Sequence, residues 1–247
     1  MAFTFGYKDQ QIDSTADPIT TLILTPADCT LIVLTVAVTG TVSRAGGSPT
    51  LVDIDGTTQS MLPGLGEASA EGEVEIWYAV NDNCPNSLGV SIDLPNTGTI
   101  NITTSSSSYS CAAGNWAYFH ERIDANGVST APSVTVTPPA GQYVIVDSMF
   151  SGYGQDSGTN NRTKLYSNDT GNEINAHQYH IGSSTATIAM SYTTAASDDW
   201  CITALCFAEY TDGDLKRWNG ILNQNITVMD SKKWNTISKV NTKKTGN

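Results

Sequence analysis

The stretch Leu31-Ile32-Val33-Leu34-Thr35-Val36-Ala37-Val38 decides the fold class of this chain. Its β-branched and apolar residues are typical of a β-strand, and they occupy both of the faces on which strand side chains alternate. Such a strand is central in a sheet that is covered on both sides, or one of its faces meets another subunit. Its length is far below the ~20 apolar residues that cross a bilayer, so no membrane span is predicted.

Similar short runs recur through residues 1–210, and Gly, Pro, Asn, Asp and Ser separate them. In segment 73–80 the residues alternate, so we predict that Val74 and Ile76 face a core while Glu73 and Glu75 face water. The predicted strands are Ile19–Leu24, Thr30–Thr39, Glu73–Val80, Gly89–Leu94, Trp116–Ile123, Ser133–Thr137, Gln142–Ser151, Thr185–Thr193 and Asp199–Tyr210, with weaker candidates at Phe3–Tyr7, Leu51–Ile54, Thr99–Thr103 and Ala176–Ile181.

Many strands divided by turn signals predict an all-β fold, a single jelly-roll-like β-sandwich over residues 1–210. No linker rich in Pro or in Gly and Ser divides this range, so we predict one domain there and a short C-terminal anchoring tail at residues 211–247. The run Ser105-Ser106-Ser107-Ser108 is predicted to be mobile. Long polar loops are predicted at Gly40–Thr50, Gly64–Gly72, Thr103–Gly114 and Gly152–Thr163.

The formal charge is divided unevenly along the chain. The whole chain of 247 residues carries −12, whereas residues 211–247 hold seven basic and three acidic residues, a net +4. Residues 1–210 therefore hold five basic and 21 acidic residues, a net −16. A body of this charge repels nucleic acid and anionic membrane. The basic tail suits nucleic acid or an acidic protein surface, and its Trp and Ile residues favour protein.

The tail contains a repeated unit. Lys216-Arg217-Trp218-Asn219-Gly220-Ile221 is echoed by Lys232-Lys233-Trp234-Asn235-Thr236-Ile237, and an Asn follows four residues after each Ile. A short polar segment cannot bury a Trp by itself, so these units are predicted to anchor the chain on a neighbour; alternatively, both Trp residues pack back on the sandwich. The predicted partner-binding residues are Lys216, Arg217, Trp218, Asn219, Ile221, Lys233, Trp234, Asn235, Ile237 and Asn241.

No catalytic, cofactor-binding or metal-ligating residue is predicted, and the chain is expected not to be an enzyme. His177 and His180 lie three residues apart, which places them on opposite faces of a strand. The segment Asp53-Ile54-Asp55-Gly56 lacks the later ligands of a calcium loop. Asp198-Asp199 is interpreted as a turn into the last strand rather than a ligand pair. The sequence contains no Gly-x-Ser-x-Gly, phosphate-loop or His-Glu-x-x-His motif.

The cysteines do not form a pattern that predicts a disulfide framework, because their number is odd and their spacing is irregular. They are predicted to be buried thiols. They are Cys29, Cys84, Cys111, Cys201 and Cys206.

Several aromatic residues are candidates for stacking on sugar rings. The alternative is that they belong to the core or to a subunit interface, where strand aromatics are common. They are Trp77, Trp116, Tyr153, Tyr166 and Tyr179.

Three segments together resemble β-sandwich modules of structural proteins in tailed bacteriophages. They are Glu75-Ile76-Trp77-Tyr78, then Gln142-Tyr143-Val144-Ile145-Val146-Asp147 after Pro138-Pro139-Ala140-Gly141, and Ser197-Asp198-Asp199-Trp200-Cys201-Ile202-Thr203-Ala204-Leu205-Cys206-Phe207. The tail segment Trp234-Asn235-Thr236-Ile237-Ser238-Lys239-Val240-Asn241 resembles short segments that end phage virion proteins. The chain departs from the module in its extra cysteines and its long Gly- and Ser-rich insertions.

The resemblance implies a capsid decoration or a fibre-like component of a virion, synthesised in a host cytoplasm. The start of the chain has neither the basic nor the apolar region of a secretion signal, which agrees with that expectation. The implied partners are other virion proteins of the capsid, neck or tail lattice, together with further copies of this chain. A carbohydrate- or receptor-binding module of a tail fibre is the alternative, with a glycan as its partner.

Overall fold

The structure, a computed structural model, describes residues 3–13, 19–23, 29–39, 50–52, 58–69, 71–80, 84, 88–92, 102–152, 162–169 and 174–211. These residues form β-strands and no helix, which confirms the predicted all-β class. In chain order the strands are β1 (Thr4–Asp13), β2 (Ile19–Ile23), β3 (Leu31–Thr39), β4 (Thr50–Val52), β5 (Thr58–Ser60), β6 (Leu62–Ala68), β7 (Gly72–Val80), β8 (Leu88–Ile92), β9 (Ile102–Ser110), β10 (Asn115–Ser129), β11 (Ser133–Val136), β12 (Tyr143–Ser151), β13 (Thr163–Asp169), β14 (Ile174–Gly182), β15 (Ile188–Ser191) and β16 (Asp198–Thr211).

The first large sheet has β3 at its centre, in the order β1-β9-β3-β7-β6. Antiparallel pairing sets Leu31 opposite Val80 on one side and opposite Tyr109 on the other. All eight residues from Leu31 to Val38 are buried. The prediction of a central strand covered on both faces is therefore confirmed.

The Ser-rich run lies in this sheet and not in a mobile loop, so the prediction of a loop at Thr103–Gly114 is wrong. β9 pairs with both β1 and β3, and residues 103–110 are buried. The register places Ser106 opposite Leu34 and Ser108 opposite Ile32. The hydrogen bonds between strands come from the main chain, and the small Ser side chains fit beside large neighbours. The low strand propensity of Ser therefore does not prevent a strand here.

The second large sheet has β12 at its centre, in the order β10-β16-β12-β14-β13. All nine residues of β12 are buried. Both of its neighbours pair antiparallel, which sets Asp147 opposite Gln178 of β14 and Ala204 of β16. The strands predicted at Gln142–Ser151 and Asp199–Tyr210 are confirmed.

One apolar cluster joins the two large sheets face to face. Leu31, Val33 and Tyr78 contribute to it from the first sheet, and Val146 and Phe207 contribute from the second. The rings of Tyr78 and Phe207 meet edge to face with centroids 5.1 Å apart. This geometry is favoured by aromatic quadrupoles and adds to the burial of apolar area, which is the main stabilising contribution.

Two smaller sheets complete the arrangement. β11 and β15 pair with each other, and their Val134 and Met190 pack with Ile145 and Ile202 on the other face of the second sheet. The four-stranded sheet has the order β2-β8-β4-β5, and its β2 lies in contact with β1 and β9 of the first sheet.

Side chains of β10 cover the β6 edge of the first sheet. Arg122 Nη2 donates to the carbonyl oxygen of Gly66 at 3.4 Å, and Asn126 Nδ2 donates to Glu67 Oε1 at 2.6 Å and to the carbonyl oxygen of Ala68 at 3.3 Å. Lys8 Nζ of β1 donates to the carbonyl oxygen of Leu165 in β13 at 3.2 Å, which links the two large sheets. Covered edges do not offer an open ladder to another chain.

Two further predictions are corrected. Most of the loop predicted at Gly64–Gly72 is strand β6, which pairs with β7. Glu75 is 5% exposed and does not face water, because the outer face of β7 is also covered. Its Oε2 accepts a hydrogen bond from Trp77 Nε1 at 3.0 Å, so the carboxylate is satisfied inside the protein.

The chain completes the first large sheet with residues 4–110 before it begins the second with residues 115–211. This order does not establish a jelly-roll connectivity, and the jelly-roll assignment stays a prediction. Residues 40–49 and 153–161, which belong to two predicted loops, lie outside the described residues. Residues 212–247, which form nearly all of the predicted tail, also lie outside them. Among the described residues there is no helix with the length and apolar character that a membrane crossing requires.

Candidate functional site

A buried carboxylate, Asp147 of β12, is the centre of the most extensive polar contact in the described interior. Its side chain is 0% exposed. Oδ1 accepts hydrogen bonds from the backbone N–H of Gln178, at 3.2 Å, and from the hydroxyl of Tyr192. Oδ2 accepts from Gln178 Nε2 at 2.9 Å. A carboxylate with three donors is well satisfied without a cation.

The strand register explains this meeting of residues. Gln178 lies directly opposite Asp147 in the β12–β14 pair. Tyr192 comes immediately after β15, and its backbone N–H donates to the carbonyl oxygen of Pro132 at 2.9 Å. The Asp147–Tyr192 hydrogen bond therefore ties the second large sheet to the β11–β15 pair that covers it.

Burial raises the pKa of Asp147 to about 7, and the hydrogen bonds from Tyr192 and Gln178 act in the opposite direction. Desolvation wins because an ionised group loses more solvation energy than these neutral donors return. The sequence patterns did not predict this site, although an acidic residue inside the apolar run Tyr143–Ser151 is a signal for it.

A second polar set lies on the opposite face of β14, between the two large sheets. His177 is 0% exposed, and burial lowers its pKa to about 3, so the ring is neutral. Its ring lies nearly parallel to that of Tyr166, with centroids 6.4 Å apart. Asn175 Nδ2 donates to Thr103 Oγ1 of β9 at 3.1 Å, which links the sheets across the core.

The other candidate ionisable residues do not converge. His177 is buried while His180 is partly exposed, as expected for opposite faces of one strand. Asp198 Oδ1 accepts the backbone N–H of Asp199 at 2.8 Å, and both are the first residues of β16. Within the described ranges no group of three or more His, Cys, Asp or Glu residues has a geometry that holds a metal ion. Asp53-Ile54-Asp55-Gly56 lies outside these ranges.

Of the aromatic residues considered for sugar stacking, two are part of the core. Tyr166 is buried, and Tyr179 stacks on Phe5 with centroids 4.9 Å apart. Trp77 is half-buried and donates to Glu75. Tyr153 lies outside the described residues.

Trp116 belongs to a partly exposed aromatic strip, which we define as Trp116, Tyr118, His120 and Tyr210. The first three alternate along β10, with Ala117 and Phe119 of the core between them. The rings of Tyr118 and Tyr210 meet edge to face at 4.6 Å, and the Tyr118 hydroxyl and His120 Nδ1 are 3.1 Å apart and hydrogen-bonded. Burial and the Tyr210 hydroxyl raise the pKa of Tyr118, so its phenol is neutral at physiological pH. Tyr210 is the last residue before the predicted tail at residues 211–247, so the aromatic strip includes the residue at which the body ends in the sequence.

No protein-family model, no curated protein and no solved structure matches this chain. The residues predicted to bind a partner lie outside the described part of the chain, so their role stays a prediction. They are Lys216, Arg217, Trp218, Asn219, Ile221, Lys233, Trp234, Asn235, Ile237 and Asn241.

Proposed function

We propose that this protein is a non-enzymatic structural component of a bacteriophage virion, a capsid decoration or fibre-like protein that attaches through residues 211–247. The observation that carries the proposal is the contrast between the −16 body and the +4 tail with its two Trp-Asn units. Opposite charge steers the two partners together, and a Trp that a short segment cannot bury supplies apolar area for the contact.

Three basic residues of the body make contacts within the body itself. Lys8 donates to the Leu165 carbonyl oxygen, Arg122 pairs with Asp124, and Arg162 Nε donates to the Ala189 carbonyl oxygen at 3.2 Å. A carbonyl oxygen does not cancel a positive charge, but the 21 acidic residues of the body outnumber its five basic residues, so negative charge dominates the field that a partner meets. A basic tail complements that field on a neighbouring copy.

The covered β6 edge of the first sheet also favours attachment through the tail. Arg122 and Asn126 donate to main-chain carbonyl oxygens of β6, where another strand would have to pair. Strand addition at this edge would break these contacts, so assembly through a separate segment costs less.

The test uses the full-length chain with Trp218→Ala and Trp234→Ala together, supplied from a plasmid during phage growth, and Trp116→Phe as the matched control on the body. We expect the double variant to be folded but lost from purified particles by at least about tenfold, measured by quantitative mass spectrometry, since both apolar anchors are removed. Trp116→Phe keeps wild-type copy number. Wild-type incorporation of the double variant would contradict attachment through the tail.

The second candidate function is carbohydrate or receptor binding, and the aromatic strip is the observation that favours it. Partly exposed aromatic rings in a row, with a histidine beside them, suit the apolar face and the hydroxyls of a sugar. Glycan-array binding by the wild-type chain that disappears in Trp116→Ala and persists in Trp218→Ala would favour this function. A blank array with the wild-type chain would rule against it.

A further inference from the structure

Three of the five cysteines meet at one end of the first large sheet. The antiparallel order sets the start of β3 beside the ends of β7 and β9. Cys29 lies two residues before β3, Cys111 lies one residue after β9, and Cys84 follows the end of β7 by four residues. The topology therefore brings together thiols that are 55 and 27 positions apart in the sequence.

The contacts of the thiols agree with this placement. Cys29 Sγ donates to the carbonyl oxygens of Leu31, at 3.4 Å, and Tyr109, at 3.7 Å. Cys84 Sγ donates to the carbonyl oxygen of Ala79 at 3.2 Å. The Cys29 thiol also contributes to raising the pKa of the Cys84 thiol, as a neighbouring thiol does. Two cysteines at the same end of adjacent strands can be bridged when their Cα atoms lie within about 7 Å.

We propose that Cys29 and Cys84 form a reversible disulfide when the protein meets a low-molecular-weight disulfide such as oxidised glutathione. Cys84 is partly exposed, so its thiolate attacks the glutathione disulfide, forms a mixed disulfide and releases one glutathione thiolate. The Cys29 thiolate then attacks the Cys84 sulfur and displaces the second glutathione. Two protein thiols are oxidised, one glutathione disulfide is reduced, and the two protons that the protein thiols lose are taken up by the glutathione thiolates.

The rate of this disulfide exchange depends on the pKa of Cys84, and its extent depends on the redox state of the medium. Burial, with a smaller contribution from the Cys29 thiol, raises the pKa of Cys84 well above its ordinary value. The thiolate fraction at neutral pH is therefore small, and the rate of exchange increases with pH. The thiols stay reduced in a reducing cytoplasm and close in an oxidising medium.

The bond would join the segment before β3 to the segment after β7. The closed loop contains β3 to β7, of which β3, β6 and β7 belong to the first sheet, so the disulfide restricts the unfolded chain and stabilises that sheet. Cys201 and Cys206 are five residues apart on β16, which places them on opposite faces, and they pack in two different apolar clusters. They serve as internal controls in the same molecule.

The test incubates the native full-length chain with oxidised glutathione at mildly alkaline pH, blocks remaining thiols with an alkylating reagent, and maps peptides by mass spectrometry. We expect a Cys29–Cys84 cross-linked peptide as the main product, with Cys201 and Cys206 alkylated only after unfolding. The oxidised chain melts at a higher temperature than the reduced chain. Cys84→Ser abolishes both results, and Cys206→Ser changes neither.

Three results would overturn the proposal. They are Cys29 and Cys84 recovered as thiols after oxidation, a main product that joins Cys29 to Cys111, and separate glutathione adducts that do not progress to the cross-link. The first means that the thiols are not accessible, the second that Cys111 is the partner, and the third that the two sulfurs do not reach each other.

Discussion

β9 and β12 are both interior strands that pair on both sides, and both are buried, yet their compositions differ almost completely. β12 has the sequence YVIVDSMFS and β9 has the sequence ITTSSSSYS. The apolar residues of β12 stabilise the fold through buried area. β9 contributes mainly main-chain pairing and small volume beside Ile32 and Leu34. In this protein a strand is therefore buried because of its position in the sheet. Its residues are apolar where large side chains are needed to fill the core.

The polar groups of the two strands differ in the same way. Asp147 in β12 has three hydrogen-bond donors around it. The hydroxyls of Ser106 and Ser108 in β9 have no hydrogen-bond partner among the described residues. We expect stability to depend strongly on β12 and weakly on the β9 hydroxyls, and four substitutions test this difference.

The largest effect is expected for Phe150→Ala in β12. Phe150 is fully buried and packs directly on the backbone at Gly72, where an added Cβ would lie 2.5 Å from the ring. Truncation leaves a cavity that this rigid contact cannot fill, so the free energy of unfolding falls by about 3–5 kcal/mol. Urea unfolding of the full chain measures it. A loss below about 1 kcal/mol would mean that the core collapses into the space.

The second effect is a pH dependence that Asp147→Asn removes. The pKa of Asp147 is about 7 in the folded protein and about 3.9 in an unfolded chain, so the folded state binds the proton more tightly. The contribution of Asp147 to stability is greatest below about pH 4, falls as the pH rises to about 7, and is constant above it. The difference between the two pKa values limits this loss of unfolding free energy to about 4 kcal/mol.

In the Asp147→Asn variant, the amide that replaces the carboxyl group cannot ionise, and Gln178 can turn its own amide to pair with it. We expect the variant to be more stable than the wild type at pH 8 and similar at pH 4, measured by thermal or urea unfolding at each pH, because only the wild type buries a charge at the higher pH. Asp198→Asn, at a partly exposed site where an amide oxygen can still accept the Asp199 N–H, is the control for a general charge effect. Equal pH profiles for wild type and Asp147→Asn would contradict the assignment.

The third substitution, Tyr192→Phe, removes the hydroxyl that joins the second sheet to the β11–β15 pair. The loss of a hydrogen bond to a buried carboxyl costs about 1–3 kcal/mol when the carboxylate is ionised. Because that hydrogen bond lowers the pKa of Asp147, the pKa rises further in the variant. A carboxyl-carbon NMR titration follows it directly, and an unchanged or lower pKa would rule out the contact.

The smallest effect is expected for Ser106→Ala in β9. Removing a buried hydroxyl without a partner leaves stability unchanged or raises it by up to about 1 kcal/mol. Ser148→Ala is the matched substitution, because Ser148 in β12 donates to the Val36 carbonyl oxygen at 3.3 Å and its loss should lower stability. Urea unfolding of both variants makes the comparison. A larger loss for Ser106→Ala than for Ser148→Ala would reverse it.

The candidate site was predictable only in part. The opposite faces of His177 and His180 follow from their spacing on a strand. The contact of Asp147 with Tyr192 does not, because the two residues are 45 positions apart and meet only when β15 covers the second sheet. The placement of Cys29 and Cys84 at the same end of the first sheet likewise needs the register of β3 and β7.

The sequence by itself determined the features that repeat at short range. Alternation and apolar runs identified β3, β7, β12 and β16, and counting charges separated the acidic body from the basic tail. Only the tertiary structure decided that the Ser run is a buried strand and that Glu75 is covered. The physical reason is that local patterns report which residues favour a strand or water, whereas burial depends on what the rest of the chain places on each face.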